Sequence, residues 1–310
     1  MDILPFSSPI TTPPIQLVED PVLSKHKVQL WIKREDLLHP HISGNKWRKL
    51  KYNLQAARQQ GQKVLLTFGG AFSNHIAAVA AAGKTFGFRT IGIIRGEEHL
   101  PLNATLAFAQ EQGMELRYMS RSTYKEKEQP EVMLQLREQF GKFYLIPEGG
   151  SNALAVQGCA EIIHDLETSA YDYICTACGT GATLAGLVAG MNRKKQLLGF
   201  PVLKGGSFLK AEVDRLTKEY NGQLYHNYQL MTDYHFGGYA KWKPELLNFM
   251  NIFREVTGIP LDPIYTGKML FGLYNLVQKG FFKPGTSLLA IHTGGLQGVK
   301  GFRERFGDLI

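Results

Sequence analysis

The chain has 310 residues, 44% of them hydrophobic and 20% charged, enough apolar material for one large domain or two modest ones without disulfide or metal staples. Its formal net charge of +8 is spread along the chain with no nucleic-acid-binding motif beside it, so it reads as a basic soluble surface rather than a nucleic-acid interface, and a positive field also suits an anionic cofactor or substrate. No apolar run is long enough for a membrane span, and three cysteines, Cys159, Cys175 and Cys178, are too few and odd in number for a disulfide framework.

Met1-Asp2-Ile3-Leu4-Pro5 lacks the basic stretch and apolar core of a signal peptide, so a cytoplasmic protein is expected. Gln29–Lys33 alternates as a strand does, and Val64–Phe68 is a strand ending in Gly69-Gly70. Ser73–Gly87 is Ala-rich and helical. A strand over Arg89–Arg95, a helix over Leu102–Gln112, and short strands over Glu115–Met119 and Phe143–Ile146 follow. In the second half, Ala153–Ser169 is a predicted helix and Tyr171–Ala177 a strand. A glycine loop leads into a helix over Leu184–Met191. Gly199–Leu203 is a strand, and Phe208–Tyr220, Pro244–Thr257 and Lys268–Lys279 are helices. Ser287–His292 is the last strand. Strands alternating with helices of this length indicate an α/β protein with mostly parallel sheets covered on both faces.

Three glycine-containing loops each join a strand to a helix, where free amide groups favour an anion and glycine lets the backbone close on it. Cys178-Gly179-Thr180-Gly181-Ala182-Thr183 adds two hydroxyls but lacks the lysine of a Walker loop and the full dinucleotide fingerprint. Phe68-Gly69-Gly70-Ala71-Phe72-Ser73-Asn74-His75 carries more polar groups than a capping serine needs. The third, Ile291-His292-Thr293-Gly294-Gly295, follows the last strand, with a short helix expected after it; His292 itself reads equally well as a packed strand-end residue. Cys175-Thr176-Ala177-Cys178 has CxxC spacing, but it ends an apolar strand rather than opening a helix, so it reads as core.

Ser43-Gly44-Asn45-Lys46-Trp47-Arg48-Lys49-Leu50 follows Lys33-Arg34-Glu35-Asp36. Alone it is a basic helix start. Beside three loops suited to an anionic ligand, Lys46 becomes a candidate Schiff-base lysine, which must lose its proton; Lys49 and Arg48 can supply a positive field that lowers its pKa.

The ordered set, with Tyr239 and Tyr265 added, resembles the 1-aminocyclopropane-1-carboxylate (ACC) deaminase/D-cysteine desulfhydrase family of pyridoxal phosphate enzymes over nearly the whole chain. The resemblance implies a tryptophan-synthase-β-like fold: two open, twisted α/β domains with pyridoxal 5'-phosphate in the cleft between them. A large cofactor domain would comprise residues 1–48 and 158–310, with a small inserted domain over 49–157. It also implies a homodimer acting on a small amino acid. Lys46 would bind the cofactor covalently and then serve as the acid/base at the substrate Cα. Asn74 would hydrogen-bond the cofactor's ring hydroxyl. Gly179, Thr180, Gly181 and Thr183, with Lys49, would cradle the phosphate, and Thr293 would lie near the ring. Ser73, Asn74, His75, Tyr265 and Thr266 would bind the substrate, Ser73 also moving protons, and Tyr239 and Tyr265 would be the two active-site tyrosines.

Two positions separate the branches that the resemblance brings in. ACC deaminases carry Tyr-Glu-Gly-Lys and His-Leu-Gly-Gly, where this chain has Tyr265-Thr266-Gly267-Lys268 and His292-Thr293-Gly294-Gly295. Thr266 also departs from the serine of some desulfhydrases. A hydroxyl stabilises a protonated pyridine nitrogen less than a carboxylate does, and the weaker electron sink suffices for β-elimination. The expectation is therefore a carbon–sulfur lyase of D-cysteine desulfhydrase type. ACC deamination is the alternative, and a non-catalytic cofactor-binding protein on the same fold is a further one.

Overall fold

The structure, a computed structural model, describes residues 12–164, 166–191 and 195–310. The signal-peptide reading of Met1–Pro5 lies outside the described residues.

Two sheets organise the chain. The larger has six strands. In chain order they are β1 (Ile15–Val18), β2 (Gln29–Lys33), β7 (Tyr173–Cys178), β8 (Gln196–Pro201), β9 (Tyr228–Leu230) and β10 (Ser287–Ile291). Their spatial order is β1-β2-β10-β7-β8-β9, parallel except for the hairpin of β1 on β2. The smaller sheet is parallel throughout, in the order β5 (Met114–Met119), β4 (Arg89–Arg95), β3 (Val64–Gly69), β6 (Tyr144–Ile146). From β7 the chain moves outward to β8 and β9, then returns to lay β10 on the other side of β7. That reversal is a topological switch point, where the loops at the carboxyl ends of two neighbouring strands diverge and leave a crevice.

Local sequence explains most helix ends. Helix α1 (Pro21–Lys25) is capped by the Asp20 carboxylate and α4 (Ala104–Glu111) by Asn103. Helix α3 (Asn74–Phe86) is capped by Ser73 and stops at Gly87, φ 72°. The element α5 is a short helix, Arg121–Lys125. Helix α6 (Pro130–Phe140) starts on its proline; the Glu/Gln-rich composition hides it in the sequence. The helices α7 (Ala153–His164), α8 (Ala182–Met191), α9 (Leu209–Asn221), α10 (Pro244–Thr257), α11 (Thr266–Gln278) and α12 (Gln297–Phe306) complete the set. Strand β8 begins three residues before the expected Gly199, because Gln196, Leu197 and Leu198 pair with Tyr173, Ile174 and Cys175. Cys175 and Cys178 are free and buried in β7, and burial raises both thiol pKa values, so the CxxC spacing is core. No described helix is long and apolar enough to cross a membrane.

Helix α2 (Asn45–Gln59) carries Lys46 and lies between the two sheets. Trp47, Leu50, Leu54 and Ala57 pack with Leu65, Ile76 and Ile146 of the smaller sheet's layer. The expected division at residue 48 thus falls inside a continuous helix. On its other side α2 meets α7 so closely that a Cβ at Gly158 would stand 1.9 Å from the Arg48 carbonyl oxygen. Below Lys46, Arg48 makes a two-pronged ion pair with fully buried Glu35 at 2.9 and 3.0 Å, and lies 3.6 Å from Glu161 of α7. A bidentate guanidinium–carboxylate pair fixes orientation as well as distance, so α2 is fixed in rotation as well as position.

Gly158→Ala must therefore push α7 from α2. The expected cost is about 1–3 kcal/mol of folding stability, with weakened cofactor retention because Lys46 moves with α2. Chemical denaturation alongside cofactor absorbance checks this; an unchanged midpoint and unchanged retention would contradict the packing argument.

Candidate active site

A cavity of about 510 Å³ opens at the carboxyl ends of β3, β7 and β10, within the size range of small-molecule sites. Lys46, Lys49, Ser73, Asn74, His75, Gly179, Thr180, Gly181, Thr183, Tyr239, Tyr265 and Thr293 all line it, from segments far apart in the chain. Thr266 is not among the lining residues and is fully buried.

Lys46 is placed by a backbone crossing. Gly44, immediately before α2, has φ 61°, and a Cβ there would lie 2.1 Å from the Thr293 carbonyl oxygen. Only glycine allows both. Asn45 N then donates to the Thr293 carbonyl at 3.3 Å. The Asn45 side chain accepts from Lys46 Nζ at 3.3 Å and donates to Thr183 Oγ1 at 2.8 Å, linking the lysine to the glycine loop. Burial lowers the Lys46 pKa to about 7, with the Lys49 charge as the second cause. Arg48, expected to share in that field, turns instead to Glu35.

Lys49 is 3% exposed, and its ammonium has neutral partners: the Gly149 carbonyl at 3.0 Å and Thr180 Oγ1 at 3.5 Å. Among the described residues it forms no ion pair. A buried cation without a counter-charge is costly, and an anion seated on the 179–183 loop at the α8 N-terminus removes that cost. These residues therefore fit the phosphate of pyridoxal phosphate. Ser151 Oγ also bonds Thr180 Oγ1 at 2.5 Å, tying the 148–151 turn to the same loop.

At the head of α3, Ser73 Oγ accepts from His75 N at 3.3 Å and Ile76 N at 3.4 Å, leaving its hydroxyl hydrogen to donate. Asn74 Oδ1 accepts from Gln297 Nε2 at 2.7 Å, so the side chain offers its NH2 end to the cavity. Thr67 Oγ1 gives its hydrogen to the Ile146 carbonyl at 2.8 Å, so in its 2.9 Å contact with His75 Nε2 the ring nitrogen is the donor. Burial, with Lys46 and Lys49 nearby, holds the His75 pKa far below its usual value and keeps the ring neutral.

The tyrosines meet at the cavity mouth, with ring centroids 6.2 Å apart and edge to face. Burial raises both hydroxyl pKa values, Tyr265 the more. A Cβ at Gly179 would stand 3.1 Å from the Tyr265 ring, so that glycine admits the tyrosine over the phosphate loop.

Behind the wall made by Gly295 lies Asp262, which the sequence did not single out. Its carboxylate accepts from the backbone of Ile264, Tyr265 and Thr266 at 2.7–2.9 Å and from Thr266 Oγ1 at 2.7 Å. Asp262 N donates in turn to Thr266 Oγ1 at 3.0 Å. Thr266 thus faces the capping turn, with its hydrogen already given away. Arg95, Glu148 and Asn45 also line the cavity without having been expected there. Asn45, adjacent to Lys46, was the readable one of these; Gln297 acts through Asn74. His292 is structural: Nε2 meets the Pro260 carbonyl, which can only accept, at 2.8 Å, and Nδ1 receives Gly294 N at 3.3 Å and lies 3.4 Å from Asp36 Oδ1.

Comparison with known proteins identifies the family of the chain. Residues 11–294 match the family described as "Pyridoxal-phosphate dependent enzyme". The chain is 32% identical to the "Putative 1-aminocyclopropane-1-carboxylate deaminase" of Pyrococcus horikoshii, over all of this chain and 96% of that one. It is 30% identical to the mitochondrial bifunctional D-cysteine desulfhydrase/1-aminocyclopropane-1-carboxylate deaminase of Arabidopsis thaliana, over 91% of this chain and 76% of that one. A solved structure of an ACC deaminase homologue superposes with a TM-score of 0.84 at 32% identity, covering 97% of this chain and 94% of the other. The chain belongs to the pyridoxal-phosphate dependent enzymes, in the family of ACC deaminases and D-cysteine desulfhydrases. It has their two-sheet fold, and its cofactor is pyridoxal phosphate.

The Lys46 amine is half neutral near pH 7 rather than at 10.5, and only the neutral amine attacks an aldehyde. Capture of pyridoxal phosphate by cofactor-free protein should accelerate with pH through about 7 and level off above it. Stopped-flow absorbance reads this directly, and a rise centred near 10.5 would mean an ordinary lysine.

Proposed function

We propose that the protein is a D-cysteine desulfhydrase-like lyase, converting D-cysteine and water to pyruvate, ammonia and hydrogen sulfide. The carrying observation is the cavity wall formed by Thr293, Gly294 and Gly295, where the nearby Asp262 carboxylate already accepts four hydrogen bonds. Among the described residues that wall has no carboxylate free to stabilise a protonated ring nitrogen, as strong electron withdrawal requires.

The cofactor, when bound, supplies an electron sink for the bond at Cα. The protein's residues do the rest. The Lys49 ammonium, the 179–183 loop and Thr183 hold the phosphate, and the Asn74 NH2 group donates to the ring oxygen. The α3 N-terminus and Ser73 receive the substrate carboxylate, beside a neutral His75. Lys46, whose pKa is lowered to about 7 so that a large share of the amine is neutral near that pH, is the base that takes the Cα proton. Tyr239 and Tyr265 stand at the mouth, where a hydroxyl can give a proton to the departing sulfur, and Thr266 acts behind the wall by fixing Asp262. The reading keeps the two-domain division near residues 48 and 157, a cytoplasmic location, and a homodimer of twice the 34.7 kDa chain mass.

ACC deamination to 2-oxobutyrate and ammonia, a hydrolase reaction, is the second reading, favoured by the names of the similar proteins. ACC has no α-proton, so Lys46 would have no Cα proton to remove and ring opening would fall to the tyrosines. Pyruvate from D-cysteine without 2-oxobutyrate from ACC supports the first reading, and the reverse pattern overturns it. Borohydride should fix the cofactor on Lys46, and Lys46→Ala should lose both the yellow colour and turnover, by at least about a thousandfold.

A further inference from the structure

Lys268, in the first turn of α11, is 1% exposed, and among the described residues no carboxylate pairs with it. Its ammonium instead takes two backbone carbonyls, His235 O at 2.9 Å and Gly238 O at 2.8 Å. Those same carbonyls close two successive turns, through Gly238 N to His235 O at 3.0 Å and Lys241 N to Gly238 O at 3.1 Å. In the first turn Phe236 and Gly237 have φ 54° and 96°, the pattern of a type I′ turn; in the second Ala240 has φ 53°, at the position where type II turns require a positive value. Phe236 and Ala240 are not glycine, and such residues persist at positive φ where the surroundings over-determine them. Tyr239 is the second residue of the second turn, so the direction of its ring follows from that turn.

We propose that Lys268 is a positioning residue for Tyr239: one ammonium clasps both turns and thereby holds the Tyr239 ring against Tyr265 at the cavity mouth. The clasp joins the two tyrosines through the backbone, since Lys268 and Tyr265 share one helix start. Tyr265 is fixed by Asp262 at the head of α11, and Tyr239 is fixed by Lys268 three residues further on. The proposal rests on Tyr239 serving the reaction proposed above.

Lys268→Met keeps much of the side-chain volume and removes both donations. In the cofactor-loaded protein kcat/KM should fall about a hundredfold, as expected for a displaced reacting group, while cofactor absorbance is retained. Tyr239→Phe should cause a fall of similar size, and the double variant should lose little more than either single one. Additive losses would overturn the assignment, because Lys268 would then act on something other than Tyr239. Should Lys268→Met not fold, amide exchange in the wild-type protein decides: Gly238 and Lys241 amides protected well beyond an open loop support the clasp, and exchange at open-loop rates overturns it. A cofactor-loaded wild type that turns over no amino acid defeats the functional reading instead, and the exchange result still stands on its own.

Discussion

The site depends on one backbone crossing. Gly44 passes so close to Thr293 that no side chain fits between them, and this contact fixes the start of the lysine-bearing helix against the end of the last strand. Nearly everything else in the cavity is measured from there. Asn45 turns one way to the Thr293 backbone and the other to Thr183, so a single residue sets the lysine relative to the phosphate loop. The buried Glu35–Arg48 pair then stops α2 from rotating about that point. Such a pair is weak evidence of added stability, because desolvation offsets much of its attraction. Its contribution here is directional.

Charge is distributed by the same logic. Two lysines, Lys46 and Lys49, face a cavity with no carboxylate paired to either. Burial discourages protonation of both, and the Lys49 charge adds to the effect on Lys46. The anionic cofactor is the missing counter-charge. Asp262, the carboxylate nearest the opposite wall, is turned inward to hold Tyr265 and Thr266. Positive charge is thus left uncompensated where a phosphate docks, while negative charge is used up in capping a helix. Glu148, which also lines the cavity, pairs with Lys127 at 3.2 Å rather than with either lysine.

Much of this was legible in the sequence, and for a physical reason. Lys46, Ser73-Asn74 and Gly179–Thr183 each sit beside a strand or helix boundary that local residues dictate, and parallel strands bring such boundaries to one edge of a sheet. What stayed hidden depends on distant neighbours. Asp262 and Gln297 acquire their roles from partners folded against them, and Arg95 and Glu148 reach the cavity only once β4 and the turn after β6 are in place. Thr266 came from the family resemblance; one step along a helix turns a side chain by about 100°, and next to Tyr265 its hydroxyl points back at the cap. Strands β1 and β9 are short edge pieces whose pairing, not composition, defines them, and α6 lacks an apolar stripe strong enough to outweigh its polar residues.

The position of β10 has a consequence for biosynthesis. This strand is made after every other strand described, yet it lies between β2 and β7 and leads into the Thr293 backbone that Gly44 must cross. A growing chain has the lysine early and the phosphate loop midway, but the strand that joins their halves of the larger sheet arrives only after residue 287. Until then the small parallel sheet can form, while the large one has a gap at its centre and the lysine helix has no fixed start. A seat for the cofactor that needs this crossing is therefore complete only once the chain past Thr293 has been made.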